Sequence, residues 1–308
     1  MVVLAAVLFV AAGLETAPHQ GLVVDACSPS GLDVQLQLDR AGFSPGEIDG
    51  HVGRLTRGAI EAFQADRNLP VSGQVDCATW SELRGFYSEP LVEYTIRPED
   101  VAGPFVDALP YDLLEQAQLP ALSYTSPIEA LSEKFHVRPS LLKKLNPQSA
   151  FTAGETITVP NVAAGGRTPV AGGDVVVTVS TATASLTVKN ADGKTLAYAP
   201  VTVGSEHDLL PLGTWTVTTV QFDPVFFYNP DLFWDADPTH SKAKIQPGPN
   251  NPVGVVWIDI TKEHYGLHGT PEPSRIGRRE SHGCVRMTNW DALRVARLVR
   301  VGTTVVFE

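Results

Sequence analysis

The stretch "IGRRESHGCVRMTNW", residues 276–290, holds Cys284, one of only three cysteines in a chain of 308 residues. Glycine precedes this thiol, a histidine stands two places before it and an arginine two places after. Three readings compete. A free cysteine is often a small buried hydrophobe, but the run up to this one is polar. A metal site could draw on His264, His268, His282 and Cys284, but "HYGLHG" belongs to a strand end and lacks the one-face spacing of helical zinc ligands, and no Cys-x-x-Cys is present. The third reading is a nucleophile. A thiol attacks as thiolate, so it needs a base or cations nearby. His282, His268, Arg286 and the Arg278–Arg279 pair are the candidates. Gly283 permits tight backbone geometry and leaves room for a substrate, and successive amides at Gly283 and Cys284 could face a developing oxyanion.

Outward from this stretch, the chain alternates apolar and polar residues. "DVVVTVSTATASLTVKNADGKTLAYAPVTVG" is rich in β-branched types, and Asp192-Gly193 is a hairpin signal. Strands follow at "GTWTVTTV", "GVVWIDI" and "GTTVVF", and the only clear helix is "NWDALRVARLVR". Residues 174–308 therefore read as a mainly β domain, a β-sandwich or barrel with one or two helices. Within it, "QFDPVFFYNPDLFWDADPTHSKAKIQPGPNNP" (221–252) is long, proline-rich and carries six aromatics. So long a connection in a compact domain is functional or disordered, and the aromatics favour a lid or substrate wall over Cys284, with Tyr228 and Trp234 as substrate contacts.

"GLHGT" (266–270) followed by "SHGCVRM" (281–287) resembles the active-site signature of the YkuD-type L,D-transpeptidases. "PLGTWTV", "YNPDLFW", "NNPVG" and the closing "GTTVVF" agree with it. The resemblance implies that Cys284 is the acyl-accepting nucleophile, that His268 is its general base, and that the Gly269 carbonyl orients that histidine. Ser281, His282, Gly283 and Arg286 would shape the pocket and oxyanion region. It further implies attack on the bond between the L-centre of meso-diaminopimelate and a terminal D-alanine. An acceptor amine would then resolve the thioester into a 3→3 cross-link. Water in place of the amine would make an L,D-carboxypeptidase, and an idle domain would leave a peptidoglycan-binding protein. Arg275, Arg278, Arg279 and Arg286 form a local basic cluster that could dock stem-peptide carboxylates or simply be a solvated loop. No cofactor or metal is expected.

Two further modules precede this domain. In residues 28–86, Val34, Leu38 and Ala41, then Ile60 and Phe63, then Trp80 and Leu83 fall at helical spacing. Asp76 is a plausible cap for the third helix. The landmarks "IDG", "T…AI..FQ" and "G.VD..TW..L" resemble the three-helix peptidoglycan-binding module of cell-wall enzymes. In residues 92–160, Ser126, Pro127 and Glu129 form a capping box before a helix; "RPSLLKKLNP" is a second helix and "GETITVP" a strand. With "VEYTIRP" as first strand, this small α/β module resembles a LysM glycan-binding repeat. About twenty-five residues are inserted before its first helix, and a structural spacer of the same ancestry is the alternative. Residues 161–173, rich in Gly, Ala and Pro, read as a linker.

The net charge of −11 argues against nucleic acid. "MVVLAAVLFVAAG" is too short to span a bilayer and reads, with residues up to 24, as a secretory signal lacking its basic start. Export to the periplasm or cell wall, no membrane span after signal removal, a monomer, and peptidoglycan stem peptides and glycan as partners are the expectations. In an oxidising compartment Cys27 and Cys77, which bracket the helical module, would pair and leave Cys284 as the free thiol.

Overall fold

The computed structural model describes residues 27–86, 89–162, 173–204, 207–277 and 283–308. The signal-like segment 1–24, most of the linker 161–173, and Arg278, Arg279, Ser281 and His282 lie outside the described residues.

The first module is three helices, α1 (Gly31–Arg40), α2 (Arg54–Asp66) and α3 (Cys77–Leu83). Ser30 and Asp33 cap α1 reciprocally, and Asp76 caps α3 by accepting from the Thr79 amide at 2.8 Å. Val34, Leu38, Phe43, Ile60, Phe63, Trp80 and Leu83 close one core. Two buried glutamines hold the turns: Gln35 accepts from the Asp49 and Gly50 amides, and Gln64 from those of Ser72 and Gly73. Cys27 and Cys77 are disulfide-bonded, with Cα atoms 4.8 Å apart, and Cys284 is free.

The second module runs β1 (Leu91–Thr95), α4 (Leu113–Gln116), α5 (Pro127–Lys134), α6 (Pro139–Leu145) and β2 (Thr156–Pro160), with β1 and β2 antiparallel. Ile96, Leu131, Val137, Leu142, Ile157 and Val159 fill its core. Ser126 caps α5, but the Glu129 carboxylate reaches one residue further back than a capping box requires and accepts from the Thr125 amide at 2.6 Å. The inserted residues between β1 and α5 carry α4 and leave the module. Leu122 donates to the Pro247 carbonyl and accepts from the Asn250 amide, both at 2.9 Å.

The third domain is one continuous eight-stranded sheet rather than two separate sheets. Its strands are β3 (Val175–Ser180), β4 (Ser185–Asn190), β5 (Thr195–Pro200), β6 (Gly213–Phe222), β9 (Val256–Ile260), β10 (Gly266–His268), β11 (Val285–Arg286) and β12 (Thr304–Phe307). The order is β11-β10-β9-β6-β12-β3-β4-β5, parallel only at β10–β11 and β12–β3. The expected sandwich or barrel takes the form of a curled sheet because of β6. Its first half pairs with β12 and its second with β9, with a register shift at Val217–Thr219, so one strand serves both halves. Thr202, just past β5, bridges back to Arg286 on β11 through hydrogen bonds of 2.9 and 3.0 Å and draws the two ends of the sheet together. One core holds residues from both halves and from helix α7 (Asn289–Ala296). A separate hairpin of β7 (Phe226–Tyr228) and β8 (Ala243–Ile245) packs with Leu122 and against Leu109, Leu113 and Leu114 of the insertion.

The three parts share surfaces. Tyr198 of β5 belongs to the core of the helical module, where residues 42–44 hydrogen-bond along β5 and cover its edge. Asp39 of α1 meets Arg294 of α7 at 3.0 Å and His136, just after α5, at 3.2 Å. Ser44 donates to Asp291 of α7 at 2.8 Å.

Candidate active site

β10 and β11 run parallel with His268 opposite Arg286 and Leu267 opposite Val285. Cys284 is the residue just before β11, beside the start of β10. His268 is 4% exposed, and the Trp257 ring of neighbouring β9 stacks on it at 5.4 Å. Its Nδ1 lies 2.6 Å from the Gly269 carbonyl oxygen. A carbonyl can only accept, so Nδ1 carries the proton and Nε2 keeps its lone pair. Burial, assisted by the Arg286 charge, lowers the His268 pKa to about 3 despite the Gly269 carbonyl. The imidazole is therefore neutral at physiological pH.

Cys284 is half-buried, and its thiol donates to the His264 carbonyl at 3.7 Å. Burial pushes its pKa up to about 11. The Gly266 amide and Arg286 act to lower it, whereas Asp259 and Asp208 raise it. Of the arginines named from the sequence as partners for this thiol, Arg286 is the one within the described residues. Desolvation outweighs Arg286 at this thiol, and among the described residues that favours a resting thiol beside a neutral imidazole. Gly283 has φ +91°, and a Cβ built there would stand 2.6 Å from the Tyr265 ring. Only glycine fits beside this thiol.

Gly269 is held in turn by Asn289, the first residue of α7. Cβ atoms built on Gly254 and Gly269 would lie 2.0 and 2.2 Å from Asn289 Oδ1, so this 1%-exposed amide is wedged against both backbones. Oδ1 accepts from the Val255 amide at 3.2 Å. Nδ2 donates to the Pro249 carbonyl at 3.0 Å and to both carboxylate oxygens of Glu133 at 3.1 Å. Asn289 carries no sequence signal beyond its place in a helix, and Trp257 reads only as a strand position.

The other expected residues are dispersed. Arg275 donates to Glu272 on the surface, while its carbonyl accepts from Thr202 at 3.4 Å. Tyr228 is corrected as a substrate contact. It is 3% exposed, packed in the hairpin cluster, with its hydroxyl 3.0 Å from His240 Nδ1. His240 Nε2 in turn meets Asp112 of the insertion at 3.0 Å. The hairpin is thus buried against the insertion on one side. Its connecting loop does approach the site, since Trp234 packs against His207 with ring centroids 4.3 Å apart and the rings tilted by 35°, and the adjacent Asp208 acts on Cys284. Among the described residues no three His, Cys, Asp or Glu side chains gather as a metal site, and no helix is long and apolar enough to cross a membrane.

A thiol at the start of one strand and a neutral imidazole on the strand paired with it, the imidazole tied by one nitrogen to a backbone carbonyl, are the groups that cysteine-dependent acyl transfer calls for. The family comparisons agree. The model "L,D-transpeptidase catalytic domain" matches residues 174–307, and "Putative peptidoglycan binding domain" matches residues 31–83. Residues 174–307 thus carry a YkuD-type L,D-transpeptidase catalytic domain, with a peptidoglycan-binding domain in front. The chain is 27% identical over 183 residues to "Putative L,D-transpeptidase YkuD" of Bacillus subtilis, covering 59% of this chain and 93% of that protein. It is 31% identical to "Putative L,D-transpeptidase YqjB" of Bacillus subtilis over 37% of this chain and 61% of the relative. With "Probable L,D-transpeptidase YbiS" of Escherichia coli it shares 43% identity over 21% of each. Among solved structures, "L,D-transpeptidase from Mycobacterium smegmatis" aligns at 19% identity and a TM-score of 0.37, over 51% of this chain and 64% of that one.

Proposed function

We propose that this protein forms 3→3 peptidoglycan cross-links by cysteine acyl transfer. The observation that carries the reading is the His268 tautomer: Nδ1–H is committed to Gly269 O at 2.6 Å, which leaves the Nε2 lone pair free to act as the base. The Cys284 thiol attacks the carbonyl of the meso-diaminopimelate L-centre in a tetrapeptide stem as its proton passes to Nε2. The tetrahedral intermediate collapses, the C–N bond breaks, and the D-alanine amine leaves with that proton. A thioester remains on Sγ. The amine of a neighbouring stem attacks it, gives its proton to His268, and restores the thiol as the new amide forms. Proton transfer concerted with attack suits a pair that rests neutral. The amides at Gly283 and Cys284 are the assigned oxyanion donors, with Arg286 and the Ser281–His282 segment shaping the pocket.

The strand–helix–helix–strand module at 91–160 is assigned a LysM-like glycan-binding role, beside the helical module's affinity for peptidoglycan. Tethering of this kind raises local substrate concentration on an insoluble polymer. The Cys27–Cys77 bond supports an extracytoplasmic site of action. The test is product analysis by mass spectrometry after incubation with purified disaccharide-tetrapeptide. Cross-linked dimer with release of D-alanine is the expected outcome. Tripeptide without dimer would reassign the enzyme as an L,D-carboxypeptidase, and no turnover would leave only binding.

A further inference from the structure

We propose that Glu133, a residue of the middle module, is a positioning residue for the catalytic domain, holding the Gly269 carbonyl through Asn289 and so fixing the orientation of His268. The inference rests on the reading of His268 as the base. Its chain of contacts is short and mostly buried. Both Glu133 oxygens accept from Asn289 Nδ2 at 3.1 Å, and Oε1 also accepts from the Tyr124 hydroxyl at 3.0 Å. Asn289 has no freedom to turn: its Nδ2 side faces a carboxylate and the Pro249 carbonyl, its Oδ1 side the Val255 amide. That oxygen fills the space where Gly254 and Gly269 would carry side chains. Gly269 is further pinned by its amide, which donates to Val256 at 3.2 Å, and its carbonyl is the acceptor for His268 Nδ1.

Glu133 is an expensive residue to keep here. Burial pushes its carboxyl up to about 7, with the donors Asn289 and Tyr124 working against that and the Glu129 charge adding to it. α5 packs on α7 at this point, so a carboxylate on the surface of a two-stranded module is spent on the neighbouring domain. The inserted segment supplies Tyr124, and the same segment docks on residues 247–250. Removal of the carboxylate releases the Asn289 amide while leaving every group that touches the substrate in place. A loosened base costs turnover more than binding, since misplacement by about 1 Å can cost on the order of 100-fold.

The test uses the full chain with disaccharide-tetrapeptide and the variants Glu133→Ala, Glu133→Asp and Glu133→Gln. Gln keeps the oxygen that Asn289 and Tyr124 share; Asp withdraws it by one carbon and serves if the Ala variant fails to fold. Turnover (kcat) should fall roughly 10- to 100-fold in Ala and less in Asp, with KM within about twofold, and Gln should restore it. The second readout is independent of activity. The downfield Nδ1–H proton resonance of His268 should shift or broaden in Ala and Asp and stay in place in Gln. A folded Ala or Asp variant with an unmoved resonance and normal kcat overturns the proposal, as does a Gln variant that falls with them. Full turnover in His268→Ala, with the resonance still responsive to Glu133, would instead refute the base assignment and leave the positioning standing.

Discussion

Cys284 and His268 rest as neutral partners because both are desolvated, with Trp257 covering the imidazole and Arg286 too weak to offset burial. Two predictions belong to these atoms. Cys284→Ala should remove acyl transfer by roughly 10⁴-fold or more with an unchanged circular dichroism spectrum, and His268→Ala should cost on the order of 10²–10⁴-fold. Alkylation of Cys284 by iodoacetamide should rise about tenfold per pH unit from pH 7 to 10, because the reactive thiolate forms only near the raised pKa of about 11. A rate already at its plateau at pH 7 would mean a preformed thiolate–imidazolium pair. The residue types were legible in the sequence, since a glycine-flanked thiol beside arginine and a His-Gly pair have few other uses. Their charge state was not. It depends on how much protein surrounds them, and Trp257 reaches His268 only through strand pairing.

At the scale of elements, the turn into β11 is set by Gly283, whose φ of +91° and closeness to Tyr265 leave no room for a side chain. Gly302 has φ +88° with nothing within 4 Å of a built Cβ. Gly302→Ala should therefore show only the backbone strain, about 1–2 kcal/mol, while Gly283→Ala adds a clash and lowers kcat as well. Urea melts of the two variants, with turnover assays alongside, check this; equal losses of stability and normal turnover would contradict it. Hydrophobic alternation and caps such as Asp76 made most strands and helices readable. The insertion before α5 was not readable, because its apolar residues answer to β7 and β8 more than a hundred positions away rather than to a local period. The shared strand β6 escaped for a related reason: a register shift leaves no mark in the apolar–polar pattern.

Across the described residues, buried charge joins the modules. Asp39 sits between Arg294 and His136, which outweigh its burial and hold its carboxyl well below the usual carboxylate range. A depressed carboxylate stabilises the folded state above its unfolded pKa of about 4 and loses that contribution as pH falls below it. Asp39→Asn should accordingly be less stable than the parent by about 3–5 kcal/mol at neutral pH, since Arg294 would be left buried without its partner, and the gap should narrow as pH falls from 5 towards 2. Denaturant melts across that range measure it, and a constant gap would refute the assigned ion pair. The three-part order of the chain was visible in its motifs, yet the docking was not, because Asp39, His136 and Arg294 look like ordinary charged helix-end residues until the fold assembles them. The central claim, that Cys284 carries the acyl group, is tested most directly by trapping it. The protein is mixed with disaccharide-tetrapeptide, quenched in acid within the first turnover, digested and examined by mass spectrometry. The account predicts an adduct on the Cys284 peptide equal in mass to the donor less D-alanine; turnover of donor with Cys284 unmodified, or an adduct on another residue, would contradict it.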